Sequence, residues 1–492
     1  METPTLNQLS NVLTSTDTQI LRRRNVVLRK IVAGIILMFS DLALIAISIF
    51  GSLLLRDLLL PGNVDVAIYL NIIPILLALF PIAFYIGGLY PGFGVDVIDE
   101  LRSLTYSITI VYAVIAASTF LVKESWDYSR IAFILSWIIS LLSIPLGRSL
   151  VRKILGTKTW WGIPVIVIGA GAAGEKVIKS LKKHYHIGLR PIVAVDDDID
   201  RWGYTHGVPV IGGLGIIPDL SYKMNIDHAI IAMPSIPRKR QQEIIEKYSK
   251  YFTQTTVIPD LFGLSSLWVS TKDIGGILGL EVQQKLLKRS SRFKKRVFDL
   301  ILGTTLSIFA LPLCLFVSLL IYLDSKGSVF FRQVRMGLGD SRFKILKFRT
   351  MWTDAEKFLR DLLDKDEDLR KEYEVYHKMR NDPRLTRIGK ILRKFSIDEL
   401  PQFWNVLKGE MSLIGPRAYL PWEKSKMDGN DDMILKVKPG ISGLWQVTDR
   451  NASSFEERLI TDVYYIRNWS MFLDIYILAR TIAVVFLGKG AY

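Results

Sequence analysis

The sequence predicts a three-part membrane protein: an α-helical membrane bundle of four spans, a Rossmann-like α/β domain, and a small α/β domain anchored by a re-entrant helix. Four apolar segments, at roughly residues 31–55, 67–90, 105–122 and 131–151, approach the ~20 residues that a spanning helix needs. A buried-strand run, Pro164 to Ile168, leads directly into a glycine-rich turn and a helical stretch. A fifth apolar run, Val297 to Leu323, contains Pro312 and carries basic residues on both sides. These features divide the chain into a tail (1–30), a four-helix membrane domain (31–155), an α/β domain (156–280) and a C-terminal domain (281–492) with a re-entrant helix at 297–323.

Composition sets the frame for this division. A chain of 492 residues exceeds one compact core, and half of it is hydrophobic. Mean hydropathy is +0.27, so soluble and membrane-embedded parts are both expected. Cys314 is the single cysteine and lies in an apolar run, which excludes disulfides and cysteine-rich metal sites. The net charge of +16 comes with basic clusters beside apolar segments and without a nucleic-acid module signature, so membrane and phosphate partners are expected and nucleic acid is not. The first apolar run lacks a small-residue cleavage site after it, and no cleavable signal peptide is expected.

Taken in order, the polar tail ends in Arg22-Arg23-Arg24, with Arg29 and Lys30 before the first span. Arg148, Arg152, Lys153 and Lys158 follow the fourth, while the intervening loops are balanced. Positive charge thus places both ends of the bundle in the cytoplasm. Asp41, inside the first span, has no basic partner visible in its neighbourhood and is assigned to helix packing or an interface, the alternative being a functional intramembrane charge.

After Ile168 come Gly169, Gly171 and Gly174, then a helix, then a second strand, Pro191 to Val195, ending at Asp196-Asp197-Asp198. Strand, glycines, helix and acid stand in the order of a dinucleotide fold, where the glycines admit a phosphate and the acid meets a ribose. Gly169, Gly171, Gly174 and Asp196 are therefore candidates for a nucleotide site. The same glycines also suit a tight turn and close helix packing, so a scaffold or regulatory role stays open.

Basic residues flank Val297 to Leu323: Lys294-Lys295-Arg296 before it, and Lys326, Arg332 and Arg335 after it. Both ends are therefore expected in the cytoplasm, on a helix that kinks at Pro312 and returns to the face it entered. Arg387, Lys390, Arg393 and Lys394 form a basic amphipathic helix suited to anionic lipid or phosphate. The last apolar stretch, Trp469 to Leu487, is broken by Asp474 and Arg480 and reads as interfacial.

Between these elements lies Ser396-Ile397-Asp398-Glu399-Leu400-Pro401-Gln402. Ser396 and Glu399 have the spacing of a capping box. Two carboxylates at a helix start, where amides and the helix dipole favour anions, also suit a phosphate held through metal or arginine.

The surrounding motifs carry a resemblance. They include Arg332-Gln333-x-Arg335-x-Gly337, Lys347-Phe348-Arg349-Thr350-Met351, Asn381-Asp382-Pro383-Arg384, Asp398-Glu399-Leu400-Pro401-Gln402, Gly415-Pro416-Arg417, Gly443-Leu444-Trp445-Gln446-Val447 and Asp462-x-x-Tyr465-x-x-Asn468. In this order they resemble the monotopic bacterial polyprenyl-phosphate sugar-1-phosphate transferases, and the upstream domains resemble the long form of that family. The chain departs from the family pattern at Ala418, at Thr448-Asp449-Arg450-Asn451 and at Leu311-Pro312.

The resemblance implies an enzyme that moves a sugar-1-phosphate from a UDP-sugar to undecaprenyl phosphate on the cytoplasmic face of the bacterial inner membrane, beginning O-antigen, capsule or exopolysaccharide synthesis. Galactose is the sugar favoured, with glucose the alternative. It also implies Asp398 as nucleophile, Glu399 as a Mg²⁺ ligand, and Lys347, Arg349, Arg384, Arg417, Arg450 and Asp462 as phosphate- or substrate-binding residues. Asp462 can stand near the metal, the alternative being a helix cap. A homodimer is admissible. Two other classes share some of these features: a membrane-anchored NAD-dependent nucleotide-sugar dehydratase or epimerase, and a non-catalytic assembly protein. The first lacks Tyr-x-x-x-Lys between 160 and 280, and the second has no need of Asp398-Glu399.

Overall fold

The computed structural model describes residues 23–60, 66–121, 129–258, 269–353, 383–448 and 454–487, save for 159, 225, 275, 276 and 283, together with 355, 358, 359 and 364. The chain forms two compact units, 1–262 and 263–492.

The first unit begins with helices Arg23–Leu59, Val66–Ile86, Val97–Leu121 and Arg130–Leu155. Three of them are long and apolar enough to cross a membrane, and Pro74–Ile86 is a shorter apolar stretch of the second. Their lipid-suited faces expose Phe39, Leu54, Leu142 and Leu146, while Ile45, Phe80, Phe84, Ile108 and Ile144 are buried between helices. Asp41 does have a basic partner. Arg148 donates from Nε and Nη2 to its two carboxylate oxygens at 2.9 and 2.6 Å, and from Nη1 to Glu100 at 2.9 Å. Tyr90 donates to Asp41 at 2.7 Å, and Arg152 donates to Glu100 at 2.7 Å and to the Gly92 carbonyl at 2.9 Å. The expectation missed this pairing because its members lie on three helices and a loop, out of register in the sequence.

The α/β part is one six-stranded sheet in the order β3-β4-β2-β1-β5-β6. Its strands are β1 (Ile163–Ile168), β2 (Leu189–Val195), β3 (Gly203–Thr205), β4 (Val208–Val210), β5 (His228–Ile231) and β6 (Gln254–Val257). All neighbours are parallel except β3 and β4. Alternate β1 residues feed two cores: Ile166 and Ile168 face Ile217, Leu220 and Ile244, while Val167 packs with Ile178 and Val210. This two-sided burial is what a doubly wound sheet requires. Gly169 has φ +101°, and a Cβ on Gly174 would stand 2.0 Å from the Gly169 carbonyl, so the turn and the helix after it pack backbone on backbone.

In the second unit β7 (Val269–Ile274) and β8 (Ile277–Val282) pair as a hairpin. Helix Arg289–Asp324 follows, unbroken at Pro312, over 36 residues. Both of its ends are fastened to the same domain. Near the start, Lys295 pairs with Asp474 at 2.7 Å, Arg296 donates to the carbonyls of Val406 and Leu407, and Asp299 accepts from Ser412 Oγ and Leu413 N–H. Near the end, Val317 and Ile321 share a core with Phe348 and Leu392. Between them Ile308, Phe309, Leu311, Leu315 and Phe316 are exposed.

The domain itself is built on β9 (Phe330–Met336) paired antiparallel with β10 (Arg342–Phe348), and on β11 (Ser412–Ile414) paired parallel with β12 (Gly440–Ser442). Helices Phe455–Asn468 and Met471–Leu487 close the unit, with Asp474 buried under the Tyr465 hydroxyl, the Trp469 indole and Lys295. The Asp474 charge that marked this stretch as interfacial is thus an internal tie.

Candidate active site

Helix Arg387–Lys394 ends at Phe395, and Ser396 follows in the left-handed conformation, φ +53°. The chain then enters a tight 3₁₀ turn, Ile397–Gln402, which runs on into helix Phe403–Lys408. The expected capping box does not form: Ser396 makes no side-chain cap bond, and its carbonyl accepts from Glu399 N–H at 3.2 Å. An N-cap side chain needs an extended backbone to reach the first amides, and a left-handed one points it elsewhere. Pro401 and Gln402 are buried, and Ile397 and Leu400 pack on the Phe348–Leu392 core, which anchors the turn from below.

Strand β10 lies against this turn. Asn405 sets the register, accepting from Leu346 N–H at 3.1 Å and donating to the Lys344 carbonyl at 2.9 Å. Lys347 Nζ consequently reaches Glu399 Oε1 at 2.6 Å. Burial pushes the Asp398 carboxyl up to about 6, opposed by the positive charge of Lys347, assisted by Glu399 and opposed again by Arg393.

A second cluster surrounds Arg417. Its backbone N–H donates to Asp462 Oδ2 at 3.1 Å, and the Tyr419 hydroxyl donates to the same oxygen at 2.8 Å. Asp462 lies within helix Phe455–Asn468 and is fully buried, so it is not the helix-start cap weighed from the sequence. Burial pushes its carboxyl up to about 7 against those two hydrogen bonds and the Arg417 charge. Arg335, on β9, links the clusters: its Nη1 donates to the Ala418 carbonyl at 3.0 Å, and its guanidinium feels both Arg417 and Glu399.

Arg349 is placed differently from expectation. It is buried and donates to the Ser325 carbonyl at 2.6 Å, to Ser325 Oγ at 2.8 Å and to the Lys326 carbonyl at 3.1 Å, capping the long helix. Those bonds take both of its terminal nitrogens, and its Nε is buried without a partner. Arg384 is buried at the approach to helix Arg387–Lys394, where its carbonyl accepts from Trp352 N–H. Arg450 lies outside the described residues. In the first unit, Asp196 spends its oxygens on Ala170 N–H at 2.6 Å, Asp198 N–H at 3.0 Å and Arg201 at 3.2 Å, tying the glycine turn to β2. Sequence reading assigned no site role to Arg335 or Trp445, although both stand inside quoted motifs. Position in a motif does not say which way a side chain faces.

The donor set near Asp398 and Glu399 consists of carboxylate oxygens, which suit a hard divalent cation. Among the described residues there is no group of three or more His, Cys, Asp or Glu that could hold one. Mg²⁺ commonly takes one or two carboxylates and completes its shell with water and substrate phosphate, so the pair fits a substrate-completed site.

Helices suited to a membrane, and a compact domain that gathers two carboxylates, a lysine and arginines, define a membrane-associated enzyme built for phosphate-bearing substrates. Residues 290–488 match the bacterial sugar transferase family, and residues 86–259 match a CoA-binding domain family. The chain is 32% identical over 403 residues to the UDP-galactose-lipid carrier transferase of Erwinia amylovora, covering 80% of this chain and 82% of that one. It is 33% identical to the undecaprenyl-phosphate galactose phosphotransferase of Salmonella typhimurium, covering 78% and 81%. Identity to the UDP-glucose:undecaprenyl-phosphate glucose-1-phosphate transferase of Klebsiella pneumoniae is 28%, covering 92% and 95%. The chain belongs to the bacterial sugar transferase family and is a sugar-phosphate transferase.

Proposed function

We propose that this enzyme transfers galactose-1-phosphate from UDP-galactose to undecaprenyl phosphate at the cytoplasmic face of the inner membrane, beginning a polysaccharide repeat unit. The observation that carries the reading is the placement of Asp398 and Glu399 on one turn, with Lys347 against Glu399 and arginines nearby. Asp398 attacks the sugar-bearing phosphorus; the bond to the bridging oxygen breaks, and UMP leaves with the electron pair. An undecaprenyl phosphate oxygen then attacks the same phosphorus and expels the Asp398 carboxylate. Glu399 would hold Mg²⁺, which when bound offsets diphosphate charge. Arg417 is suited to the phosphate oxygens because its planar donors match their geometry. Helix Arg289–Asp324 is read as re-entrant. Support comes from the fastening of both its ends to one domain, with the exposed apolar residues lying between them.

The test is purified protein with Mg²⁺, undecaprenyl phosphate and separate UDP-sugars, following UMP release. Lipid-dependent UMP from UDP-galactose is expected, and its loss in Asp398→Asn. Release from UDP-glucose alone would change the sugar, and no release from any UDP-sugar would remove the reaction. Mass spectrometry of a trapped intermediate is expected to place the phospho-sugar on Asp398.

A further inference from the structure

Around Arg417 the catalytic domain holds buried N–H donors that meet no acceptor. Trp445 is 8% exposed, and its Nε1 has no hydrogen-bond partner; Arg335 Nε is likewise buried without one. Buried donors are normally satisfied, and an isolated one argues for a group that arrives from outside. Both lie beside Arg417 or its neighbours. The Arg417 guanidinium carbon lies 5.7 Å from the Trp445 ring centroid, and that of Arg458 lies 5.0 Å from it. Arg335 holds the carbonyl next to Arg417 and is within electrostatic reach of Glu399.

The charge balance points the same way. Arg335, Arg417 and Arg458 face Glu423, Asp462 and Glu399. Glu423 accepts from the Leu420 N–H and keeps its charge, Glu399 is paired with Lys347, and burial pushes the Asp462 carboxyl up to about 7, so three guanidiniums outnumber the carboxylate charge left to them. Burial, and after it the charge of Arg417, pushes the Arg335 guanidinium down to about 10. Cations packed together with spare donors and little negative charge form a receptor for a ligand with several anionic oxygens.

We infer that Trp445 and Arg335 are substrate-contacting residues that, with Arg417, donate N–H groups to the diphosphate oxygens of the nucleotide sugar. This rests on the reaction proposed above. A purely structural Trp445 would fill space and brace the two arginines through its ring, tasks that do not use Nε1. The indole N–H separates the two roles.

The experiment uses full-length protein in nanodiscs, with wild-type UMP release from UDP-galactose established first. Trp445→Phe keeps an aromatic ring under Arg417 and Arg458 and removes the N–H; Arg335→Lys keeps the charge and removes the planar donor. Expected for each is about tenfold weaker UDP binding by thermal-shift titration and about tenfold lower kcat/KM, whatever the shift in the unliganded melting midpoint. UDP affinity and kcat/KM within about twofold of wild type, in whichever variant folds, would overturn the inference. A wild-type protein that binds UDP but releases no UMP removes the reaction instead, and the UDP titration then decides the donors alone.

Discussion

Lys347 Nζ stands 2.6 Å from Glu399 Oε1, joining strand β10 to the turn that carries the two acids. Both side chains are about a quarter exposed, at 24% and 26%, so the pair is open to a ligand yet shielded enough to be directional. Lys347→Met leaves Glu399 without this donor and Asp398 without its principal positive neighbour. We expect kcat/KM for UMP release to fall about 10- to 100-fold. Near-wild-type turnover would show that the lysine serves packing alone.

Asp462 ties stability to pH. Its carboxyl rises from 3.8 to about 7 on folding, chiefly through burial. The folded chain therefore binds this proton more tightly than the unfolded one. The favourable contribution is complete below the unfolded value and is lost as pH climbs through the folded value, an effect of roughly 4 kcal/mol. Asp462→Asn carries no titratable proton, so the drop in melting midpoint between pH 5 and pH 8 should shrink. An unchanged drop would place the pH dependence elsewhere.

Arg148 holds Asp41 and Glu100 inside the first unit with three ion-pair hydrogen bonds. Arg148→Leu strands buried Asp41 and leaves Glu100 to Arg152, and should cost roughly 3–5 kcal/mol. Adding Asp41→Asn should recover part of the lost melting midpoint, because one stranded charge disappears. Additive losses in the double variant would mean that the pair is not coupled.

Gly174 and Gly215 form a controlled comparison. A Cβ on Gly174 would stand 2.0 Å from a backbone carbonyl, whereas one on Gly215 meets nothing within 4 Å. Gly174→Ala should destabilise the α/β domain by roughly 1–3 kcal/mol and speed its proteolysis, with Gly215→Ala close to wild type. Equal protease resistance in the two variants would contradict the close packing of this turn.

Much of the architecture was legible in the residues themselves, because hydropathy and strand–glycine–helix order are local properties. The helices Arg130–Leu155 and Arg289–Asp324, strand β1 and its glycine turn, and the adjacent Asp398 and Glu399 are all visible as runs or short spacings. The sequence by itself also carried enough motif order to point to the family. Tertiary structure decided the partners. Asp41 meets Arg148 across 107 positions, Glu399 meets Lys347 across 52, and the Arg417 amide meets Asp462 across 45. Such pairs form because burial removes water from charged groups and leaves only protein to satisfy them, a condition that spacing along the chain does not encode. The same cause tied Arg349 to the end of the long helix and set Ser396 in a left-handed turn instead of a capping box. Local propensity proposed those roles, and the packing of β10, the long helix and the acidic turn overrode them.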